Sequence, residues 1–167
     1  TIRAEDAIGT MLGVLYFSDL TELYQIRDEY IRSRPVVSII LIDNYEELIK
    51  NLSESAISTL NAKLGDTIMA WTESYNGLLR KLERNRYLFI FEKRDLLRAT
   101  EDKFSLLENI HEITSPSGLA ASISIGMGVD GSNFDEGYNF AALGIEMALS
   151  RGGDQAVIKD RFNFTFY

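Results

Sequence analysis

The chain lacks cysteine altogether and is poor in histidine and proline. Its 167 residues include no Cys, one His and two Pro. The absence of cysteine excludes disulfides and thiolate metal sites, and it fits a reducing compartment such as the cytoplasm. The single histidine, His111, lies in a charged, helical segment with no positioned nucleophile nearby. We therefore expect a surface residue rather than the base of a Ser-His-Asp triad.

Long apolar runs and an excess of positive charge are also missing. No stretch approaches the roughly 18 apolar residues of a membrane span, and no signal peptide opens the chain. The formal net charge of -8 disfavours nucleic acid and anionic membrane surfaces as partners. What is present is a hydrophobic fraction of 46%, which is typical of one folded globular domain. Because Thr1 is not methionine, we expect a piece of a longer protein.

The N-terminal segment predicts a short strand followed by a helix. Gly9–Phe17 is apolar and rich in strand formers. Asp19 and Glu22 fit a capping box at the start of a helix, which Pro35 stops. This helix carries an apolar seam at spacings of three and four, formed by Leu23, Ile26 and Tyr30. A helix packed on its own domain and a dimer-forming connector both explain the seam, and the sequence leaves the two open.

After Pro35, strand and helix patterns alternate. The run VVSIILI is typical of a strand buried on both faces, and LLRKL with RYLFIFEK predicts an antiparallel hairpin around a polar turn. Two segments whose apolar residues have helical spacing follow the first strand, so two helices are predicted there. One amphipathic helix is predicted over Arg94–Ile113. The apolar stripe predicted for the last long helix consists of Phe134, Tyr138, Ala142, Ile145 and Leu149.

The predicted element order from Val36 is βααββαβαβ, ending in the strands QAVIKD and FNFTFY. This order favours an α+β, ferredoxin-like, palm-type fold, with a central antiparallel sheet and helices on one face. Two glycine motifs have alternative explanations. RGGDQ at Arg151–Gln155 follows a helix, so a helix stop is favoured over a phosphate cradle. GMG at Gly126–Gly128 is a weak phosphate signal, because the full GxGxxG spacing is absent.

The chain from Val36 to about Asp160 resembles the GGDEF domain of bacterial diguanylate cyclases. The resemblance depends on the ordered set SIILIDNYEEL, LLRKLERNRYLFIF, ASISIGMGV and AALGIEMALSRGGDQAVI. In that family, carboxylates at the end of the first strand and in the hairpin turn hold two metal ions against a triphosphate. With Tyr87 aligned to the Phe of the motif, GGDEF becomes Glu83-Arg84-Asn85-Arg86-Tyr87 here.

This alignment implies that the metal site is lost. The metal carboxylate of the first strand aligns with Leu41, although Asp43 survives two positions later. The asparagine that contacts guanine aligns with Ile49, and the phosphate-contacting Lys and Arg align with Ser150 and Asp154. The inhibitory RxxD motif is also missing. Because leucine cannot ligate magnesium and arginine repels it, we expect no diguanylate cyclase activity.

A GGDEF domain degraded in this way, with the ending ALSRGGDQAVIK, is similar to that of membrane-bound, GdpP-type cyclic-di-AMP phosphodiesterases. Their order is two membrane helices, a PAS domain, a degenerate GGDEF domain and a catalytic DHH domain. The resemblance divides the chain into a PAS strand region (1–18), a connector helix (19–34) and a degenerate GGDEF domain (35–167). It implies PAS and DHH partners in the same chain, a homodimer in the full-length protein, and a place on the cytoplasmic side of the cell membrane. The chain ends before any DHH segment, so we do not expect the phosphodiesterase activity here.

Five residues are candidate nucleotide contacts. Arg84 and Arg86 can replace magnesium in neutralising phosphate, although exposed arginines are also common at turns. Asp43, Asn44 and Tyr45 stand at the start of a helix. We expect no catalytic residue, no metal ligand and no required cofactor; ATP with Mg is the cofactor that the resemblance allows. Our leading hypothesis is a regulatory module that binds ATP or GTP, and a weak ATPase using Asp43 or a purely structural dimerisation module stays open.

Overall fold

The computed structural model describes residues 15–167, so the predicted strand over Gly9–Phe17 lies mostly outside the described residues. Its last three residues, Leu15–Phe17, are described and form no strand. In chain order, the elements are α1 (Thr21–Arg32), β1 (Pro35–Ile42), α2 (Tyr45–Ile49), α3 (Glu54–Glu73), β2 (Gly77–Lys81), β3 (Arg86–Glu92), α4 (Lys93–Glu101), α5 (Leu106–His111), β4 (Ile123–Gly128), α6 (Phe134–Ser150), β5 (Ala156–Lys159) and β6 (Phe164–Phe166). No helix in this part of the chain combines the length and the apolar character needed to cross a bilayer.

The six strands form one sheet in the order β2-β3-β1-β4-β5-β6. The predicted hairpin is confirmed as the antiparallel pair of β2 and β3. The prediction of an antiparallel sheet is wrong at one place, since β4 and β5 pair in parallel. The cause is α6, which connects these two strands as a crossover and returns the chain in the same direction.

The central strand β1 is buried on both faces, as its β-branched run predicts. Ile40 and Ile42 contribute to the larger core, under α2, α3 and α5. Ile39 and Leu41 point to the other face and pack against α6. The prediction that the helices lie on one face is therefore wrong, because a strand that is apolar at every position needs a helix on each side.

Helix α6 packs on β4 through small residues, and its predicted apolar stripe is shifted. Phe134 and Leu149 are exposed, and the buried residues of α6 are Gly137, Ala141, Gly144, Ile145 and Ala148. The GMG motif explains the shift. A β-carbon added to Gly126 would lie 2.1 Å from the carbonyl oxygen of Ala141, so the glycines of β4 let the helix backbone approach the sheet directly.

The predicted helix over Arg94–Ile113 is wrong, because the chain breaks it into α4 and α5. Lys103 and Phe104 between them adopt left-handed φ angles of 52° and 54°. The Asp102 carboxylate accepts hydrogen bonds from the backbone N-H of Ser105 (3.1 Å) and from the indole N-H of Trp71 (3.2 Å). The break turns Phe104 into the core, where it is fully buried.

The connector helix α1 has no buried residue. The predicted capping box is wrong: the helix begins after Leu20, and the Asp19 carboxylate accepts only the N-H of Thr21 at 2.9 Å among the described contacts. Ion pairs attach α1 and its C-terminal end to the domain. Glu29 binds Arg94 at 2.7 Å. Asp130 binds Arg34, after the helix, at 3.0 Å, and it also binds Lys93 at 2.7 Å.

Candidate functional site

Two of the positions that align with carboxylates of the cyclases, Leu41 and Arg86, lie opposite each other in neighbouring strands. Leu41 of β1 is the register partner of Arg86 in β3, and the backbone N-H of Ile42 donates to the Asn85 carbonyl at 2.8 Å. Leu41 is only 8% exposed and belongs to the core under α6. An apolar side chain and a guanidinium cannot ligate a divalent cation. These residues therefore do not fit the metal ions that the cyclase family implies.

The hairpin turn presents its two arginines differently. Arg84 is exposed at the tip. Arg86 is half-buried, with Nη1 4.0 Å from Glu83 Oε1, and its Nε is buried without a hydrogen-bond partner among the described residues. The carbonyl of Arg86 accepts the N-H groups of Leu82 and Glu83 at 2.9 and 3.1 Å. Backbone hydrogen bonds therefore fix the shape of the turn, and the exposed Arg84 side chain is available to contact a ligand.

The carboxylate of Asp43 is engaged with the loop that follows α6. Its Oδ2 accepts hydrogen bonds from the Ser124 hydroxyl and from the Asp154 backbone N-H, both at 2.9 Å. Its Oδ1 is buried and has no partner in the described part of the chain. Burial raises the pKa of Asp43 above its ordinary value, and these two hydrogen bonds only partly oppose the shift. The weak ATPase that would use Asp43 as a metal ligand stays a prediction.

The RGGDQ segment ends α6, as predicted. Gly152 and Gly153 adopt φ angles of 106° and 77°, and the N-H of Gly153 donates to the Ala148 carbonyl at 2.9 Å. A β-carbon on Gly153 would lie 2.7 Å from Asp43 Oδ2, so this glycine also makes room for the carboxylate. His111 Nε2 lies 2.8 Å from Asp154 Oδ1. Its side chain is 44% exposed, which confirms a surface histidine.

Asn44 anchors the loop before β4. Its Nδ2 donates to the Ala120 carbonyl at 2.8 Å, and its Oδ1 accepts the Ser122 N-H at 3.1 Å. The next backbone link is the Asp43 N-H, which donates to the Ser122 carbonyl at 2.9 Å. Both ends of the Asn44 amide are thus used within the fold, as is one oxygen of Asp43. A nucleotide contact by either residue remains a prediction.

A cleft of about 470 Å³ lies between α2, the first half of α3 and the hairpin turn. Its lining residues are Tyr45, Ile49, Glu54, Ile57, Ser58, Asn61 and Arg84. The structure therefore brings two of the five candidate contacts together, Tyr45 and Arg84, whereas Asp43, Asn44 and Arg86 do not line this cleft. Ile49, which aligns with the guanine-contacting asparagine of the cyclases, does line it.

Asn61 is a lining residue that the sequence analysis missed. It follows Leu60 in the apolar face of α3, and its Oδ1 is buried without a partner among residues 15–167. No sequence signal separates it from an ordinary polar residue at the edge of an amphipathic helix. Within the described residues, no group of three or more His, Cys, Asp or Glu side chains is placed to hold a metal ion.

Comparison with known proteins identifies the family. A family described as "Cyclic-di-AMP phosphodiesterase GdpP-like, GGDEF domain" matches residues 40–165. The chain belongs to this family of GdpP-like GGDEF domains. The chain is 34% identical over 146 residues to the cyclic-di-AMP phosphodiesterase GdpP of Bacillus subtilis (strain 168), covering 87% of this chain and 22% of that protein. It is 30% identical to the cyclic-di-AMP phosphodiesterase PdeA of Listeria monocytogenes serotype 1/2a (strain 10403S), with the same coverage.

Solved structures confirm the fold expected of a GdpP-like GGDEF domain. The active GGEEF domain of a diguanylate cyclase from Vibrio cholerae superposes with a TM-score of 0.64 at 13% identity, covering 81% of this chain and 89% of that one. The FimX GGDEF domain from Pseudomonas aeruginosa gives a TM-score of 0.63 at 16% identity, covering 83% and 92%. The chain spans about a fifth of the length of the curated relatives.

Proposed function

We propose that this domain is a regulatory, nucleotide-binding module of a membrane-bound cyclic-di-AMP phosphodiesterase and that it does not synthesise cyclic di-GMP. The observation that supports this proposal most directly is the pairing of Leu41 with Arg86, which replaces two carboxylates by a neutral and a cationic side chain. The two metal ions that phosphoryl transfer requires would meet no anionic ligand at these positions.

The residues that line the cleft support the proposal that a nucleotide binds here without that metal site. Arg84 lines it together with Tyr45 and Asn61, so a guanidinium is available for phosphate and an amide for a base. Relatives of this chain are named as phosphodiesterases of cyclic di-AMP, and an adenine nucleotide is therefore the ligand that we expect. In the same proposal, PAS and DHH domains flank this domain in the full-length protein, and nucleotide binding here modulates the DHH activity.

Calorimetric titration of the 167-residue chain with ATP and with GTP, each with and without Mg²⁺, tests the proposal. We expect saturable ATP binding that does not require Mg²⁺. Arg84→Ala should weaken it about tenfold, which corresponds to one charge-assisted hydrogen bond. Arg80→Ala, a variant in β2 outside the cleft lining, is the matched control. Magnesium-dependent production of cyclic di-GMP from GTP would refute the proposal.

We also infer that α1 pairs with α1 of a second copy. Leu23, Ile26 and Tyr30 are 60%, 61% and 67% exposed, and they repeat at the spacing of a coiled-coil seam. Exposed apolar side chains along one face of a helix are typical of an interface between helices. Light scattering should give a concentration-dependent mass, and Ile26→Glu should abolish this dependence while Glu22→Gln leaves it unchanged. A monomeric mass at every concentration contradicts the inference.

A further inference from the structure

A second cavity continues the cleft along α3. It measures about 330 Å³, and its mainly apolar walls include Met69, Leu79 and Tyr87. Gly65 of α3 forms part of its floor, and Lys81 of β2 lies at its lip. Asn61 lines both this cavity and the cleft that contains Arg84. The two cavities therefore meet at one side chain, and that side chain is an amide.

The amide of Asn61 is incompletely used within the domain. Its Oδ1 is buried and accepts no hydrogen bond from the described residues. A buried acceptor without a donor destabilises a fold, and native proteins contain few of them. Asn is also a weaker helix former than Leu or Ala, so helix stability does not explain its presence in α3. A ligand that donates a hydrogen bond at the junction of the two cavities would explain it.

Gly65 is a second feature that the fold does not require. It lies one helical turn after Asn61, on the same face of α3. A β-carbon added there would have only the Tyr87 hydroxyl as a neighbour within 4 Å, at an ordinary contact distance of 3.7 Å. Glycine in a helix interior is less stable than alanine. Its effect here is to leave the floor of the second cavity without a side chain.

We propose that Asn61 is the base-recognition residue for an adenine nucleotide, with the base on the Gly65 floor and the phosphates extending through the cleft toward Arg84. This inference depends on the nucleotide binding proposed above and names the group that selects the base. Because Oδ1 is buried, the Asn61 side chain rotates to reach the base; the adenine amino group then donates to Oδ1, and the neighbouring ring nitrogen accepts from Nδ2. Leu79, Met69 and Tyr87 supply apolar contacts to the ring.

Each cavity carries one charge of each sign, so the apolar surface, rather than the net charge, favours this orientation over its reverse. Asp66 and Lys81 both line the second cavity, whose mainly apolar walls suit a neutral base. Arg84 lines the cleft, where a triphosphate needs a cation. Glu54 also lines the cleft and weakens phosphate binding there. We therefore assign base recognition to Asn61 in α3. Ile49, at the position that aligns with the guanine-contacting asparagine, offers no polar atom to a base.

Calorimetry with ATP, GTP and inorganic triphosphate on the 167-residue chain tests the inference. Asn61→Leu removes the amide, and Gly65→Leu fills the floor. Each should weaken ATP binding about tenfold and leave the affinity for inorganic triphosphate unchanged, because triphosphate carries no base. Arg84→Ala should weaken both ligands. Asn109→Leu, in an exposed part of α5, is the matched control for exchanging an Asn for Leu. Circular dichroism melts verify that every variant is folded.

Three results would overturn the inference and leave the proposed function standing. They are unchanged ATP affinity in Asn61→Leu and Gly65→Leu, an equal loss of ATP and triphosphate affinity in these variants, and tighter binding of GTP than of ATP by the unmodified chain. A failure of the unmodified chain to bind either nucleotide overturns the proposed function itself. The two failures are therefore distinguishable within one set of titrations.

Discussion

Leu41 of β1 and Arg86 of β3 are directly opposed in the antiparallel ladder. Side chains opposed in this way point to the same face of the sheet, so an aspartate and a glutamate at these positions would converge on one cation. In this domain the opposed side chains are a leucine and an arginine instead. This pair of side chains therefore does not fit a divalent cation.

Restoring the carboxylates should restore the response to metal. We expect Mg²⁺ to leave the melting midpoint of the unmodified chain unchanged. A triple variant, Leu41→Asp with Asn85→Asp and Arg86→Glu, should lose about 2–4 kcal/mol of stability without metal, because carboxylates replace a buried apolar side chain. Added Mg²⁺ should then raise its midpoint, since a ligand that binds only the folded state stabilises it.

The matched control is the double variant Leu41→Asn with Arg86→Gln. Because Asn85 is already an amide, this variant carries neutral amides at all three positions. It should lose stability and show no response to Mg²⁺. Thermal melts with and without the metal provide the measurement. A rise in the midpoint of the unmodified chain with Mg²⁺ would contradict our account of the site.

Asp43 should make the stability of the domain depend on pH. Burial raises its folded-state pKa above the ordinary value of 3.8, so the folded state binds this proton more tightly than the unfolded state does. The contribution of Asp43 to the free energy of unfolding is therefore most favourable when the pH is below the ordinary pKa of 3.8. It declines as the pH rises through the folded-state pKa.

We accordingly expect Asp43→Asn to stabilise the domain at neutral pH and to have less effect in acid. The amide oxygen can still accept from Ser124 and from the Asp154 N-H, so the geometry is retained. Urea denaturation of both proteins at about pH 4 and at neutral pH measures the difference. A variant that is more destabilised at neutral pH than in acid would contradict the predicted sign.

Two glycines should respond in opposite directions to the same substitution. Gly65→Ala should raise the free energy of unfolding by about 0.5–1 kcal/mol, because it removes helix glycine and its β-carbon meets only an ordinary contact. Gly126→Ala should lower it by about 3 kcal/mol, because the β-carbon would lie 2.1 Å from the Ala141 carbonyl oxygen. Urea midpoints of the two variants check the prediction, and equal effects would refute it.

Glu54 should oppose nucleotide binding from within the cleft. Glu54→Gln removes a negative charge from the lining that also contains Arg84. We expect ATP to bind about threefold more tightly, with the gain decreasing as salt is added, as screened surface charges require. Glu46→Gln, an exposed change in α2 outside the lining, is the control in calorimetric titrations. An equal gain in both variants would show a general effect of net charge.

The strands β1, β2 and β3 were predictable from the sequence because their signals are local. The β-branched run of β1 and the alternation around the hairpin turn determine both elements without knowledge of their neighbours. The break between α4 and α5 was not predictable in this way. No glycine or proline marks it, and left-handed Lys103 and Phe104 are stabilised by Phe104 burial and by Asp102 contacts with Ser105 and Trp71.

The packing of α6 and the role of Asn61 also depend on contacts distant in the sequence. The stripe from Phe134 to Leu149 is the more apolar face of that helix, but the glycines of β4 select the small-residue face for contact. The structure brings Tyr45 and Arg84 together in one cleft, and a nucleotide contact by either residue stays a prediction. Asn61 differs from other polar residues only by the partner that it lacks in three dimensions, and a sequence does not contain that information.

The attachment of α1 differs in kind from the interior of the domain. Apolar burial stabilises the body of the domain. Ion pairs join the connector helix and the residue Arg34 after it to that body, through Glu29 with Arg94 and Arg34 with Asp130. Dissolved ions weaken exposed charge pairs and leave apolar contacts largely intact. A rise in ionic strength would therefore weaken the exposed Glu29–Arg94 pair before it affects the core of the sheet, so the position of the connector helix depends on the salt content of its surroundings.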